Sequence, residues 1–288
     1  MVTYHVWCPE GGKTLAPGST GSVYSFQAMP DVVAKLPYVE EEIRERFETE
    51  KAIYRRIGSI GSIDSSIDVP PAHPYIVPCL GIEDGERGGC IYLRRAQHGS
   101  IRDYFKRKGG RASMAERVRW AAHLAEALAF LHGLGIRQGD VGGRNVLLHE
   151  DENGTRDIWV CDFAGSGIDD TPALVLAQGG FRHPQESDPA TNSGTIPCEL
   201  HALGSTIYEL VTSHAPHAGC GAWEGGQGDD EWMAAKLLHD QGFYPEVTGL
   251  PLGDIISRCW QGDYTSAAEV AEALSARIPD YSDQTEMV

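Results

Sequence analysis

Residues 138–165 read QGDVGGRNVLLHEDENGTRDIWVCDFAG, and this stretch decides the fold. Two strand-like runs flank Asn153-Gly154, a dipeptide that predicts a β-hairpin. The hairpin places Asn145, at the start of its first strand, beside Asp162, at the end of its second. An amide oxygen and a carboxylate that converge in this way suit a hard cation such as Mg²⁺.

Asp140 precedes Asn145 by five residues and can reach the same site. Its carboxylate could accept a proton from a hydroxyl group there. Any one of these residues could be a turn former. Their order and spacing together are hard to explain as turns, so the stretch predicts a catalytic site with a bound cation.

Upstream, Gly18 and Gly21 form a glycine turn between two strand-like runs. Glycines let backbone N–H groups approach phosphate oxygens without a Cβ in the way, although an ordinary hairpin turn would look the same. Lys35 follows in a Val-Val-Ala-Lys run and, by alternation, shares a face with Val33.

A helix is predicted from Glu41 to Ile57. One face of this helix carries Ile43, Phe47, Glu50, Tyr54 and Ile57. Glu50 is the single carboxylate in this apolar stripe, and it would be costly to bury unless it meets a cation. Lys35 is the natural partner, and such a pair would hold the lysine against nucleotide phosphates.

Composition excludes several classes of partner. The 288 residues include 24 Lys and Arg against 41 Asp and Glu, a net charge of −17, so we expect no nucleic-acid or membrane partner. No apolar run approaches a membrane span, and the N-terminus lacks the pattern of a secretory signal. Seven scattered cysteines without a Cys-x-x-Cys pair predict reduced thiols in the cytoplasm or nucleus. The stretch from Gly58 to Pro71 predicts a long loop.

A second group of residues has spacings that suggest zinc: Cys198, His201, His214, His217 and Cys220. Residues 200–212 are predicted to be helical, however, and a helix of that length separates its ends by roughly 20 Å. The two halves of the group therefore cannot share one ion, and loop histidines after a helix are the preferred interpretation.

In order and spacing, these residues resemble the eukaryotic-type protein kinase family from about residue 14 to 278. The matching residues are Gly18 and Gly21 of the glycine loop, the strand lysine Lys35, the helix glutamate Glu50, the catalytic aspartate Asp140, and Asn145 and Asp162 as metal ligands. Looser matches are His73–Val77, Phe181–Glu186 and the helix Glu199–Leu210, where Glu199 replaces the usual aspartate.

The resemblance implies an α+β, bilobal fold. A small, mostly-β N-lobe with one helix would span residues 1–95, a larger, mostly-α C-lobe residues 96–279, and a C-terminal tail residues 280–288. It also implies ATP and Mg²⁺ as cofactors, and a protein substrate or regulated partner protein. Nucleotide contacts would come from the gatekeeper Leu93, the hinge residues Arg94, Arg95 and Ala96, and Val23, Val33 and Leu147 around the base.

Departures from the family pattern surround the catalytic aspartate. Gln138-Gly139 replaces the usual His-Arg, which predicts weaker support for the metal-binding triplet and no switch by a phosphorylated activation loop. Gly142 stands where many serine/threonine kinases keep a lysine. Arg144 stands where tyrosine kinases place their cation.

Two further departures lie later in the chain. Ala164 replaces the glycine of the metal-binding triplet and is expected to restrict the backbone there. The arginine that usually pairs with the equivalent of Glu186 is missing from the last helices, so that buried pair is expected to be absent.

Three functions remain open. The first is an active protein kinase, with serine/threonine favoured by the family and tyrosine open. The second is a pseudokinase that scaffolds or regulates a partner, as the departures would allow. The third is a small-molecule kinase, because Gly139-Asp140 with Asn145 also resembles the His-Gly-Asp loop of aminoglycoside and choline kinases; His73–Val77 and Glu199–Leu210 argue against it.

Overall fold

The computed structural model describes residues 10–58, 60, 71–85, 88–107, 111–186, 194–218 and 228–282. The stretch from Gly58 to Pro71, predicted as a long loop, lies almost entirely outside these described residues.

The N-terminal part of the chain is an antiparallel sheet in the order β1-β2-β3-β5-β4. Its strands are β1 (Gly12–Pro17), β2 (Gly21–Phe26), β3 (Val32–Pro37), β4 (Cys79–Glu83) and β5 (Cys90–Arg94). Alternation along β3 places Val33 in the main core, whereas Ala34 and Leu36 join Tyr24 in a smaller cluster on the other face. Lys35 therefore shares its face with Val33, as predicted.

Helix α1 (Glu41–Ile57) has the predicted boundaries and the predicted buried face. Phe47, Glu50 and Tyr54 are buried on this face, and Glu50 is 0% exposed. Glutamates occupy the first turn and arginines the last, so side-chain charges complement the helix dipole at both ends.

The hairpin predicted at Asn153-Gly154 is present. Its strands are β7 (Val146–Glu150) and β8 (Arg156–Val160), which pair antiparallel. The N–H of Val77 donates to the carbonyl of Val160 over 3.0 Å and links the hairpin to the segment that enters β4.

The C-terminal part of the chain is mostly helical. Its helices are α2 (Ile101–Lys106), α3 (Met114–Gly133), α4 (Ile196–Thr212), α5 (Gly228–Asp240), α6 (Gly253–Gln261), α7 (Ala267–Ser275) and α8 (Ile278–Ser282), with short strands β6 (Ile136–Arg137) and β9 (Gly167–Ile168). Ser113 and Glu116 form a capping box at the start of α3. Nine of the 20 residues of α3 and 13 of the 17 residues of α4 are buried, and both helices contribute to the main core.

A sheet with one helix, followed by a larger helical part, is the predicted α+β, two-lobed architecture. Helix α8 extends into residues 280–282, which the sequence assigned to a tail. Within the described ranges, none of the helices combines the length and the apolar character needed to span a bilayer.

Candidate active site

Lys35 lies between two carboxylates where the sheet meets the helical part. Its Nζ is 2.6 Å from Oε2 of Glu50 and 2.7 Å from Oδ1 of Asp162. Strand β3 supplies the lysine, α1 the glutamate, and the segment after β8 the aspartate. The ion pair predicted between Lys35 and Glu50 is therefore present, and it includes Asp162 as well.

The neighbouring charges determine the protonation states in this cluster. Burial alone would lower the pKa of Lys35, but the charges of Asp162 and Glu50 raise it above its ordinary value. Burial alone would raise the pKa of Asp162, and attraction to Lys35 lowers it below its usual range. Lys35 is thus positive and Asp162 negative at neutral pH, as contacts to phosphate and to a divalent cation require.

Asp140 and Asn145 are held together in the loop of residues 138–145, which we call the catalytic loop. The amide nitrogen of Asn145 donates to the carbonyl of Asp140 at 2.8 Å and to its carboxylate at 3.0 Å. The amide oxygen of Asn145 has no partner among the described residues. The N–H of Cys161 donates to the Asn145 carbonyl over 3.0 Å, so Asn145 lies beside the residue that precedes Asp162.

The carboxyl group of Asp140 has a shifted pKa. Burial and the negative charge of Asp162 raise this pKa to about 7, against the opposing effects of the Asn145 hydrogen bond and of Arg102 and Arg144. A carboxyl group with a pKa near neutral can take up a proton and release it again at physiological pH, as a general base must.

Asp162 adopts a left-handed backbone conformation with a φ of 62°. The sequence predicted that Ala164 would restrict the backbone in this turn. The φ of Ala164 lies outside the left-handed region, so the alanine fits and the unusual conformation falls on Asp162 instead. Phe163, which lies between Asp162 and Ala164 in the chain, packs edge-on against Tyr54 of α1, with ring centroids 5.4 Å apart.

Gln138, which the sequence analysis expected to support the metal-binding triplet more weakly than histidine, makes hydrogen bonds to this triplet. Its side chain donates to the carbonyl oxygens of Cys161 and Asp162 at 3.3 and 3.1 Å and accepts from the N–H of Asp140. The amide therefore links the catalytic loop at Asp140 to the segment that carries Cys161 and Asp162.

Gly139, at the position of the family's arginine, is fixed by Glu199 at the start of α4. The Glu199 carboxylate accepts from the Gly139 N–H at 2.6 Å and lies 2.6 Å from Nε2 of His132. A Cβ on Gly139 would lie 2.9 Å from Cβ of Ala173 and 3.1 Å from a methyl group of Val175. The segment after Asp162 thus packs directly against the catalytic loop and fills the space of the missing arginine.

Sequence reasoning missed a second buried ion pair beside the catalytic loop. Arg102 of α2 donates to both carboxylate oxygens of Glu209 in α4, at 2.6 and 2.8 Å. Glu209 also accepts from the N–H of Gly143 at 3.2 Å, and Arg102 donates to the side chain of Gln178. The signal was available, because Glu209 is a lone carboxylate in an apolar run of α4, the pattern that identified Glu50.

The glycine turn between β1 and β2 is closed by a hydrogen bond from the Gly18 N–H to the Gly21 carbonyl at 2.8 Å. A Cβ on Gly21 would lie 2.1 Å from the carbonyl oxygen of Leu36. The close approach of β3 therefore requires glycine at this position, a reason that the sequence argument did not include. Phosphate binding at the turn stays a prediction.

The predicted hinge follows β5. Leu93 is buried there, opposite Val33. Arg94 and Arg95 donate their backbone N–H groups to carbonyls within the protein, at 3.0 and 2.8 Å. Ala96 makes no backbone hydrogen bond to any described residue, so of the three hinge residues it has the N–H best placed to meet an adenine.

The three residues predicted to sandwich the base belong to the main core cluster. Val33 is buried within this cluster, and Val23 and Leu147 are partly buried against it. Leu147 also bridges to Ser100, just before α2. An apolar surface of this kind suits the faces of a purine ring.

Glu186 has a different environment from its family counterpart. It is 1% exposed and accepts from the N–H of Gly194 at 2.9 Å. Burial raises the pKa of its carboxyl group, whereas Gly194 and the positive charge of Arg182 oppose that rise. The cation that acts on Glu186 thus comes from four residues earlier in the chain, and no arginine of α6 to α8 pairs with it in the part of the chain that the structure describes.

The donor set fits a nucleotide with a hard divalent cation. Asn145 offers its unpaired amide oxygen, and the Asp162 side chain is 37% exposed beside Lys35. Within the described ranges, no group of three or more His, Cys, Asp or Glu residues is arranged to hold a metal ion. Cys220 of the predicted histidine and cysteine group lies outside those ranges.

Comparison with known proteins finds similarity to protein kinases around this site. A family model described as protein tyrosine and serine/threonine kinase matches residues 67–170. Serine/threonine-protein kinase AfsK of Streptomyces griseus is 31% identical over 169 residues, which cover 56% of this chain and 19% of that protein. Mitogen-activated protein kinase kinase kinase 3 of Arabidopsis thaliana is 26% identical over 221 residues, covering 71% of this chain and 32% of that protein. Serine/threonine-protein kinase mos of Patiria pectinifera is 24% identical over 225 residues, which cover 72% of this chain and 60% of that protein.

The matched segment contains the catalytic loop, the hairpin and Asp162, so the fold, the site and the relatives agree. The chain is therefore similar to eukaryotic-type protein kinases, a family of phosphotransferases, over the segment that carries the site. It spans less than two thirds of the length of these three relatives.

Proposed function

We propose that this chain is an active protein kinase that transfers the γ-phosphate of ATP to a serine or threonine hydroxyl of a protein. The observation that carries the proposal is the contact of Lys35 with both Glu50 and Asp162, beside a catalytic loop in which Asp140 has a raised pKa. The names of the relatives favour serine and threonine over tyrosine. The lobes would meet between residues 95 and 96, within the hinge.

Each side chain has a role in this proposal. Bound Mg²⁺ supplies charge neutralisation along the phosphates. Asn145 and Asp162 would hold that ion, and Lys35, fixed by Glu50, would orient the phosphates. Asp140 would orient the substrate hydroxyl and accept its proton. Positioning and electrostatics account for most of this reaction, so these groups form a sufficient set.

Gly142 stands where many serine/threonine kinases keep a lysine, so another residue must supply the positive charge that contacts the phosphate. Arg144 is exposed, lies two residues further on, and its charge acts on Asp140. We assign to Arg144 the contact with the transferred phosphate. Because tyrosine kinases place a cation at this position, the type of hydroxyl is an outcome of the experiment below.

The experiment combines nucleotide binding with phosphate transfer. ATP with Mg²⁺ at 100 times its Kd should stabilise the fold by about 2.7 kcal/mol and raise its melting temperature. Labelled phosphate should appear on peptides that contain serine or threonine. Asp162→Asn should abolish transfer and leave the unliganded fold intact, whereas Asp140→Asn should abolish transfer and keep nucleotide binding.

Other outcomes would replace the proposal. Unchanged transfer by Asp162→Asn would refute the metal assignment. Nucleotide binding without transfer would identify a pseudokinase, and label on an aminoglycoside or choline instead of on protein would identify a small-molecule kinase.

A further inference from the structure

Gln138 replaces the family's histidine, and its side-chain amide joins two segments of the site. The residue is 1% exposed. Its Nε2 donates to the carbonyl oxygen of Asp162 at 3.1 Å and to that of Cys161 at 3.3 Å. Its Oε1 accepts from the N–H of Asp140 at 2.7 Å. One side chain therefore holds the backbone of the proposed base and of a proposed metal ligand.

The partners fix the orientation of this amide. A carbonyl oxygen can only accept and a backbone N–H can only donate, so exchanging Oε1 and Nε2 would break all three hydrogen bonds. The backbone of Gln138 is held as well, since Oγ of Ser166 donates to its carbonyl at 2.8 Å. A neutral imidazole also presents one donor and one acceptor. The glutamine thus supplies the same pair of functions from a different side chain.

Asp162 needs such support because of its backbone. Its φ of 62° lies in the left-handed region, which is unfavourable for an L-residue. A conformation of this kind persists only when its surroundings hold it in place. The hydrogen bond to the Asp162 carbonyl fixes the peptide plane that follows this residue, and with it the direction of the carboxylate.

We propose that Gln138 is a positioning residue for the metal site, whose amide couples the catalytic loop to Asp162 and keeps the carboxylate oriented toward Mg²⁺. The inference rests on the proposed function. It reverses the expectation that loss of the histidine weakens this site. Partners of metal ligands typically contribute about 10–100-fold to metal affinity, which sets the size of the effect.

The test measures the affinity of the full chain for a fluorescent ATP analogue over a series of Mg²⁺ concentrations, together with thermal unfolding. Gln138→Glu keeps the shape and the acceptor but removes both donor hydrogens, and Gln138→Met removes both functions without adding a charge. Each should need about 10–100-fold more Mg²⁺ for tight nucleotide binding. Gln138→His should behave as the wild type, because it restores one donor and one acceptor.

Ser166→Ala is the matched control. It removes a neighbouring buried hydrogen bond to the same residue and leaves the amide untouched. It should lower the melting temperature without changing the Mg²⁺ requirement. If Gln138 had a purely structural role, the Gln138 variants would likewise lower the melting temperature without changing the Mg²⁺ requirement.

The outcomes separate this inference from the proposed function. If Gln138→Glu and Gln138→Met fold and bind the analogue at the wild-type Mg²⁺ concentration, the inference is overturned and the kinase proposal stands. If the wild type itself shows no Mg²⁺-dependent binding, both are overturned. If either variant fails to fold, Gln138→Asn replaces it. The asparagine side chain is one methylene too short to span both segments, so this variant should also need more Mg²⁺ than the wild type.

Discussion

Gly139→Ala tests how the segment after Asp162 is held against the catalytic loop. Gly139 has a φ of 83°, and its missing side chain makes room for Ala173 and Val175. An alanine there must adopt a left-handed conformation and also bring a methyl group to 2.9 Å from Cβ of Ala173. Both effects should destabilise the folded chain.

The magnitude follows from these two terms. The left-handed conformation costs a non-glycine residue about 1–2 kcal/mol. Overpacking a well-filled interior costs about 1–3 kcal/mol, and here the lower half is expected because only one methyl group is added. Together they lower the free energy of unfolding by about 2–4 kcal/mol. For a chain of this size, that corresponds to a decrease of roughly 4–8 °C in melting temperature.

The assay is urea denaturation combined with thermal unfolding, with Gly142→Ala as the matched control. Gly142 lies in the same loop, its φ is not in the left-handed region, and an added Cβ would meet Phe181 at an ordinary 3.6 Å. This variant should stay within about 1 kcal/mol of the wild type. Adding Ala173→Gly to Gly139→Ala should relieve the close contact but not the unfavourable left-handed conformation. The double variant should therefore recover only the steric part of the lost stability, with a coupling energy of about 1 kcal/mol.

Equal stabilities for Gly139→Ala and Gly142→Ala would refute the reasoning. The result bears on regulation, because we predict that apolar contacts, rather than a phosphate group, hold the segment around Ala173 and Val175 against the catalytic loop. Gly139→Arg, which restores the family's residue, should therefore destabilise the chain at least as much as alanine and should not create a phosphate-dependent switch.

Two further predictions concern buried ionisable groups. Lys35→Met leaves the Glu50 carboxylate buried without its cation, so it should lower the free energy of unfolding by about 3 kcal/mol or more in urea titrations. The double variant Lys35→Met with Glu50→Leu should recover most of this loss. Full stability of the single variant would contradict the pairing. Burial lowers the pKa values of His201 and His239 to about 3, so the unfolded state binds more protons below pH 6.5. Stability should be fully present above pH 6.5 and fall by about 1.4 kcal/mol per pH unit for each histidine toward pH 3. His239→Phe should remove about half of that slope between pH 6.5 and 4.5, and an unchanged slope would exclude the histidine as its source.

Local patterns in the sequence predicted the elements that position the site. The Asn153-Gly154 hairpin, the capping box of α3 and the buried face of α1 each depend on residues close together in the chain. The partner of Glu50 was also predictable, because a buried carboxylate requires a cation and a nearby strand offered Lys35.

The rest depended on contacts between distant segments. The identity of Gln138 alone does not show that its amide faces two carbonyl groups on one side and an N–H on the other. The need for glycine at Gly21 comes from the carbonyl of Leu36 on the neighbouring strand. The fit of Ala164 depended on which residue of the turn takes the left-handed conformation, and no local pattern specifies that.

The energetics of the central cluster bear on the proposed function. Lys35 is 6% exposed and Glu50 is 0% exposed, so both must lose water, whereas the Asp162 side chain stays 37% exposed. Replacing a buried ion pair of this kind with apolar residues is often neutral or stabilising, by about 1–4 kcal/mol. Stability therefore does not explain why the three charges meet. The proposed binding of phosphate and Mg²⁺ would explain it, because Lys35 then orients the phosphates, Asp162 holds the ion and Glu50 fixes the lysine. The proposal also gives a role to the Asp140 carboxyl, because burial and the charge of Asp162 raise its pKa to about 7.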